Sequence, residues 1–146
     1  MGEAGTAAFR LPLPDGWADH TAVTLAGPVG ADGAVPNIVV TQAMLCASMG
    51  LGGFADGQQN LLRDQTNTYE LLSNEHADVA GESALIRMIR FTVGESDPLR
   101  QLQAFLVQDG VGYAITCTTS EAGFAQAEAD FRACIDGFAL TVKSSS

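Results

Sequence analysis

Few side chains in this sequence could do covalent chemistry, and their spacing brings none of them into a known arrangement. The only imidazoles are His20 and His76. A general base also needs a nucleophile and an orienting acid, and no local motif supplies them, so the reading is one turn histidine and one strand histidine. Cys46, Cys117 and Cys134 are odd in number and widely spaced, with no Cys-x-x-Cys pair and no nearby His to complete a ligand set. Buried free thiols are expected, which suits a reducing compartment. Asp15 with Asp19 and Glu75 with Asp78 are close in sequence, but paired carboxylates without a cleft are read as solvated acids. Gly50-Leu51-Gly52-Gly53 lacks the Lys-Ser/Thr of a phosphate loop and the spacing of a dinucleotide fingerprint. Met44 and Met49 could form an adaptable lip for an apolar partner, although covering a core edge is the simpler role. No catalytic residue, metal site or cofactor is expected.

Composition narrows the partners. The 146 residues are 47% hydrophobic and 16% charged, which describes one folded domain over 1–146 with frayed ends at about 1–7 and 143–146. Seven basic against seventeen acidic residues give a formal charge of -10, and the basic ones are scattered. A nucleic-acid backbone or an anionic membrane surface requires the opposite balance, so neither is an expected partner. Met1 to Phe9 has neither a basic nor an apolar leader region, no run is long enough to cross a bilayer, and no amino-terminal Cys could accept a lipid. The expected location is the cytoplasm.

Periodicity supplies the elements that must position any site. Phe9 to Leu13 reads as a first strand, followed by the turn Pro14-Asp15-Gly16-Trp17, with Trp17 sealing the corner. Thr21 to Ala26 and Asn37 to Gln42 read as a hairpin joined by the Gly27 to Pro36 loop. Met44 to Gly53 fits neither period and reads as an apolar loop. From Phe54 the spacing is helical to about Thr68, with Gln58, Leu61, Leu62 and Gln65 on the same face as Phe54. Tyr69 to Val79 and Glu82 to Val93 read as long strands bent at Ala80-Gly81. Leu99 to Gln108 and Val111 to Thr119 form a hairpin through Asp109-Gly110, a type I′ signal. The last helix carries the stripe Phe124, Ala127, Phe131, Cys134 and Ile135, with Ser120 as N-cap, Glu121 in its first turn and Gly137 as its stop. The fold class is α+β: a predominantly antiparallel sheet of six to seven strands with two helices packed on one face.

If both helices cover one face, the bulkier alternate residues of each strand turn toward them. The opposite set is then open: Ala22, Thr24 and Ala26; Val39 and Thr41; Gln101, Gln103, Phe105 and Val107; Ala114, Thr116 and Thr118. Leu85 to Phe91 is apolar on both faces and takes no orientation from its pattern. An open face of small, aliphatic and neutral hydrogen-bonding side chains suits an apolar helix that still exposes polar atoms.

The opening Phe9-Arg10-Leu11-Pro12-Leu13-Pro14-Asp15-Gly16-Trp17-Ala18-Asp19 resembles the amino-terminal signature of the DcrB-like family within the PsbP-like superfamily. Phe54-Ala55-Asp56, Gly81 before Ala84, Gln101-x-Gln103, Tyr113-Ala114-Ile115-Thr116-Cys117-Thr118 and the Phe124/Phe131 helix follow in the family's order. The soluble branch is most similar to the effector-associated chaperones of type VI secretion. That resemblance implies a PsbP/DcrB-like sandwich. It also implies a cytoplasmic, non-enzymatic homodimer that holds the apolar amino-terminal helices of a secreted effector against its sheet and aids loading on the secretion spike. At strand two the small Ala22 and Thr24 depart from the large aliphatics that would grip a membrane helix better. The alternative is a non-catalytic assembly or structural factor that binds a folded partner through its loops.

Overall fold

The computed structural model describes Pro12 and residues 14–16, 22–46 and 48–140. The strand expected at Phe9 to Leu13 (Pro12 apart), the Trp17 corner and His20 lie outside the described residues. The described elements are β1 (Val23–Ala26), β2 (Asn37–Met44), α1 (Leu51–Asp64), β3 (Thr68–Val79), β4 (Glu82–Thr92), β5 (Leu99–Gln108), β6 (Val111–Ser120) and α2 (Phe124–Asp136). The six strands form one antiparallel sheet in the order β1-β2-β6-β5-β4-β3.

Local chemistry sets the hairpins. Asp109 and Gly110 have φ of 52° and 77°, and Ala80 and Gly81 of 55° and 78°, so both two-residue turns are left-handed at each position. That matches the right-handed twist of the flanking strands. The stretch read as an apolar loop is shorter than expected, because β2 runs on to Met44 and α1 begins at Leu51. The cap of α2 is Gly123 rather than Ser120. Ser120 sits one turn earlier, where its Oγ accepts from the Gly123 N–H at 3.0 Å and its hydroxyl donates to Asp32. Glu121 is drawn to Arg100 at 2.5 Å instead of serving the helix.

Helix α2 packs Phe124, Ala127, Phe131 and Ile135 onto a layer of Ile38, Leu102, Ala104, Leu106, Ile115 and Cys117. Cys134, expected in that stripe, is exposed, as is Cys46, and only Cys117 is a buried thiol; all three are free. Burial pushes the Cys117 thiol up to about 12, because the low-dielectric core disfavours the thiolate.

Both helices were expected on one face, and this is corrected. Helix α1 packs Phe54 and Ala55 against Leu85, Phe105 and Ala114, which alternate with the residues beneath α2 and so point the other way. Connectivity explains it: β2 and β3 are separated in the sheet by β6, β5 and β4, so their connection must cross one surface of the sheet. Four strand spacings are about 19 Å, and a 14-residue helix is about 21 Å long. With a helix on each side, β5 is buried on both faces along its middle, and β4 is apolar in both registers for the same reason.

Candidate functional site

Helix α1 runs diagonally over its face. Its amino-terminal end lies over the β5-β6 hairpin, where the Phe54 ring stands edge-on to Phe105 with centroids 5.9 Å apart. A Cβ on Gly112 would come within 2.8 Å of that ring, so the missing side chain allows the close approach. Its carboxy-terminal end reaches β3, where the Arg63 guanidinium lies 5.3 Å from the centre of the Tyr69 ring. Burial raises the Tyr69 hydroxyl above its ordinary value, partly offset by Arg63 and Arg87.

Two stripes of α1 face opposite sides. Asp56 and Gln59 face the buried Arg87 of β4, whose guanidinium donates to Asp56 Oδ1 at 2.9 Å, Gln59 Oε1 at 2.6 Å and Asn74 Oδ1 at 3.1 Å. Gln58, Leu61, Leu62 and Gln65 face the other way, over Gln101, Gln103, Phe105 and Thr116. Their spacing of three, four and seven is one helical face. Only Phe54 and Ala55 of the whole helix are buried. The rest of α1 is therefore a wall beside the sheet, held on one flank by Arg87.

Strand register describes the floor. One row across the sheet reads Thr24, Val39, Thr116, Gln103, Arg87, Asn74. Its charged end lies beyond the Asp56 side of α1, and its neutral end lies in front of the Leu61 side. From Gln103 to Thr24 are three strand spacings, about 14 Å, which matches the 10–12 Å diameter of roughly one α-helix with its side chains. The adjoining row is Ala26, Asn37, Thr118 and Gln101. From β1 to β5 no described residue of these two rows carries a charge.

Of the residues expected on an open face, Ala22, Thr24 and Thr41 are exposed, while Val39, Val107, Thr116 and Thr118 are half-buried. Gln101, Gln103, Phe105 and Ala114 are 6%, 4%, 1% and 2% exposed, so these four are corrected from open to covered. Phe105 is core under Phe54, and Val107 packs beside it. The two glutamines lie at the foot of the groove. The periodicity of Gln58, Leu61, Leu62 and Gln65 marks one helical face but not a site, because that requires knowing which surface the helix crosses.

The polar floor is connected. Gln103 Nε2 donates to Gln101 Oε1 at 2.6 Å, and Gln101 Nε2 donates to Thr118 Oγ1 at 2.9 Å. Gln103 Oε1 is buried without a partner among the described residues. A buried acceptor left unsatisfied is costly, and Gln103 lies at the foot of the groove. Among the described residues the one imidazole, His76, lies on β3, exposed, across from Leu85 and away from the groove. No group of His, Cys, Asp and Glu among the described residues could hold a metal ion. No helix among them is long and apolar enough to cross a membrane.

Comparison with known proteins agrees with this geometry at the level of the fold. The family model DcrB matches residues 9–137. A solved structure titled a protein of unknown function PA94 from Pseudomonas aeruginosa, putative regulator, superposes with a TM-score of 0.78 at 15% identity, covering 97% of this chain and 100% of that one. The solution structure of cyanobacterial PsbP (CyanoP) from Synechocystis sp. PCC 6803 superposes with a TM-score of 0.54 at 13% identity, covering 86% and 95%. No curated protein matches by sequence.

Proposed function

Since the chain belongs to the DcrB family, we propose that it is a protein-binding chaperone or adaptor whose half-covered sheet face receives an apolar helix of another polypeptide. The client in this reading is a secreted effector with apolar amino-terminal helices, held in the cytoplasm and passed to a type VI secretion spike. A homodimer would present two such faces. The observation that carries the reading is the neutral floor of β1, β2 and β6, about one helix wide, beside an α1 wall on which Leu61 is 60% exposed.

The physical balance favours an apolar helix over a charged one. Each Å² of apolar area removed from water contributes about 25 cal/mol, while a charged side chain laid on this floor would meet no ion partner there. Small floor residues such as Ala22, Thr24 and Thr116 permit close backbone approach, and their hydroxyls serve polar atoms that the client brings.

The test is co-expression with the effector encoded beside this protein. Val39→Asp or Thr116→Glu, each placing a charge in the groove, should abolish co-purification without unfolding the chain. Val29→Asp and Val35→Asp, in the exposed β1-β2 loop, should leave it intact. The reverse pattern would favour docking of a folded partner through loops. An effector equally soluble and equally secreted without this protein would refute the chaperone reading.

A further inference from the structure

Helix α2 lies on the other face of the sheet, and between it and the β1-β2 loop is a cleft with two adjoining compartments of about 170 and 190 Å³. We infer that this cleft takes an arginine side chain from an apolar segment of a second partner protein. The larger compartment is apolar, with Leu25, Ile38 and Phe131 beneath and Pro28 and Pro36 beside it, which suits the methylenes of a long side chain. Asp130 lines both compartments, and Gln126, one turn earlier on α2, lines the smaller one. Both are exposed and share a helical face. Gln126 Oε1 lies 3.8 Å from where a Cβ on Gly30, in the facing wall, would stand, so the missing side chain leaves this acceptor uncovered.

The same chain shows this arrangement filled. On α1 the Arg87 guanidinium bridges a carboxylate and an amide of one helical face, Asp56 at 2.9 Å and Gln59 at 2.6 Å. Asp130 and Gln126 repeat that pair on α2, and no described arginine serves them: Arg90 and Arg100 pair with Glu121, Arg132 with Glu128, and Arg63 lies on Tyr69. A guanidinium can serve both acceptors in one plane, which an ammonium cannot. The rim is preformed, so little ordering is needed on binding: the Gly27 N–H donates to Pro36 O at 2.8 Å, the Gly30 N–H to Ala34 O at 2.7 Å, and the Ser120 hydroxyl holds Asp32. Val29 and Val35, next to the two prolines, are exposed, so the residues flanking the arginine are apolar. Leu25 and Ile38 alternate with Thr24 and Val39, so the cleft and the groove are on opposite surfaces and can be filled together.

The experiment titrates the isotope-labelled full chain with the capped peptide acetyl-Val-Arg-Val-amide and follows amide signals by NMR. Gly30, Gln126, Ala127 and Asp130 should shift along one saturating curve while Thr24, Val39 and Thr116 stay in place. Citrulline in place of the arginine keeps its shape and removes its charge, and it should weaken binding about tenfold, as should Asp130→Asn in the protein. Lysine in the peptide should also bind more weakly, and Gln126→Leu should narrow that difference. Both substitutions fall at exposed positions, and the same spectra report whether each variant is folded. Equal affinity for the arginine and citrulline peptides, shifts centred on the groove floor instead, or no saturating shift at about 10 mM peptide would each overturn the site. Equal affinity for the lysine peptide would overturn recognition by the two acceptors. None of these results depends on the groove, whose own test is the charge placed at Val39 or Thr116.

Discussion

Replacing Arg87 with Met tests whether α1 is a wall held by one latch. The change keeps the length and the apolar stem and removes the three donors to Asp56, Gln59 and Asn74. Hydrogen bonds to a charged group contribute about 1.5–3 kcal/mol each, so three of them suggest a loss of about 5–9 kcal/mol. Two effects reduce that figure. The Asp56 side chain is 67% exposed and regains water when released, and removing the buried guanidinium also removes its desolvation cost. A net loss of about 2 kcal/mol is expected, roughly 6–8 °C in Tm for a domain of this size. The local effect should exceed the global one, because α1 buries only Phe54 and Ala55. Hydrogen exchange should accelerate in Gln58 to Asp64 while β5 and β6 amides keep rates that follow global stability. Arg87→Lys should rescue only in part, since an ammonium cannot serve three partners in a plane. Wild-type Tm together with wild-type exchange across α1 in Arg87→Met would refute the latch.

Four further outcomes follow from particular contacts. Gly112→Ala should destabilise by about 1–3 kcal/mol in urea unfolding, because its Cβ would press on the Phe54 ring; in a Phe54→Leu background the penalty should shrink, as a double-mutant cycle can measure. Phe105→Asp should fail to fold rather than fail to bind, since it places a carboxylate at a position 1% exposed, and circular dichroism decides between the two. The Arg100 hydrogen bond holds the Glu121 carboxyl below its ordinary value of 4.5; its stabilising contribution is present above that value and lost as pH falls through the lower folded one, so Glu121→Gln should flatten the acid limb of the stability curve. The unfolded chain loses the Cys117 proton near the ordinary thiol value of 9.0 whereas the folded chain keeps it to about 12, so stability should fall as pH rises through that window. At neutral pH a thiol reagent should titrate only Cys46 and Cys134 in the folded protein.

Period-two alternation placed the strands well, because a sheet residue's direction is fixed by its neighbours, and the Asp109-Gly110 turn followed from local conformational preference alone. The side on which a helix lies is not local. It depends on strand order, which α1 must span from β2 to the far edge at β3. A sign of the true arrangement was nevertheless present in the sequence. Leu85 to Phe91 resisted orientation because alternate residues on both faces are apolar, and Phe105 is too large and greasy for a solvated strand position. Such a strand is covered on both sides, which places the two helices on opposite surfaces.

The same reasoning explains why the groove lies where it does. A helix crossing a six-stranded sheet on the diagonal shields the middle strands and leaves a neutral corner at β1, β2 and β6. Strands there cannot be buried by this chain's own helix without lengthening it. Their outward side chains nevertheless stay small and uncharged, from Thr24 through Val39 to Thr116. Simple solvation of an outer strand is met by charged residues, as in β3 with Asp78 on this face and Glu70 and Glu75 on the other. The contrast between these two margins of one sheet is the physical ground for assigning the first of them to another polypeptide.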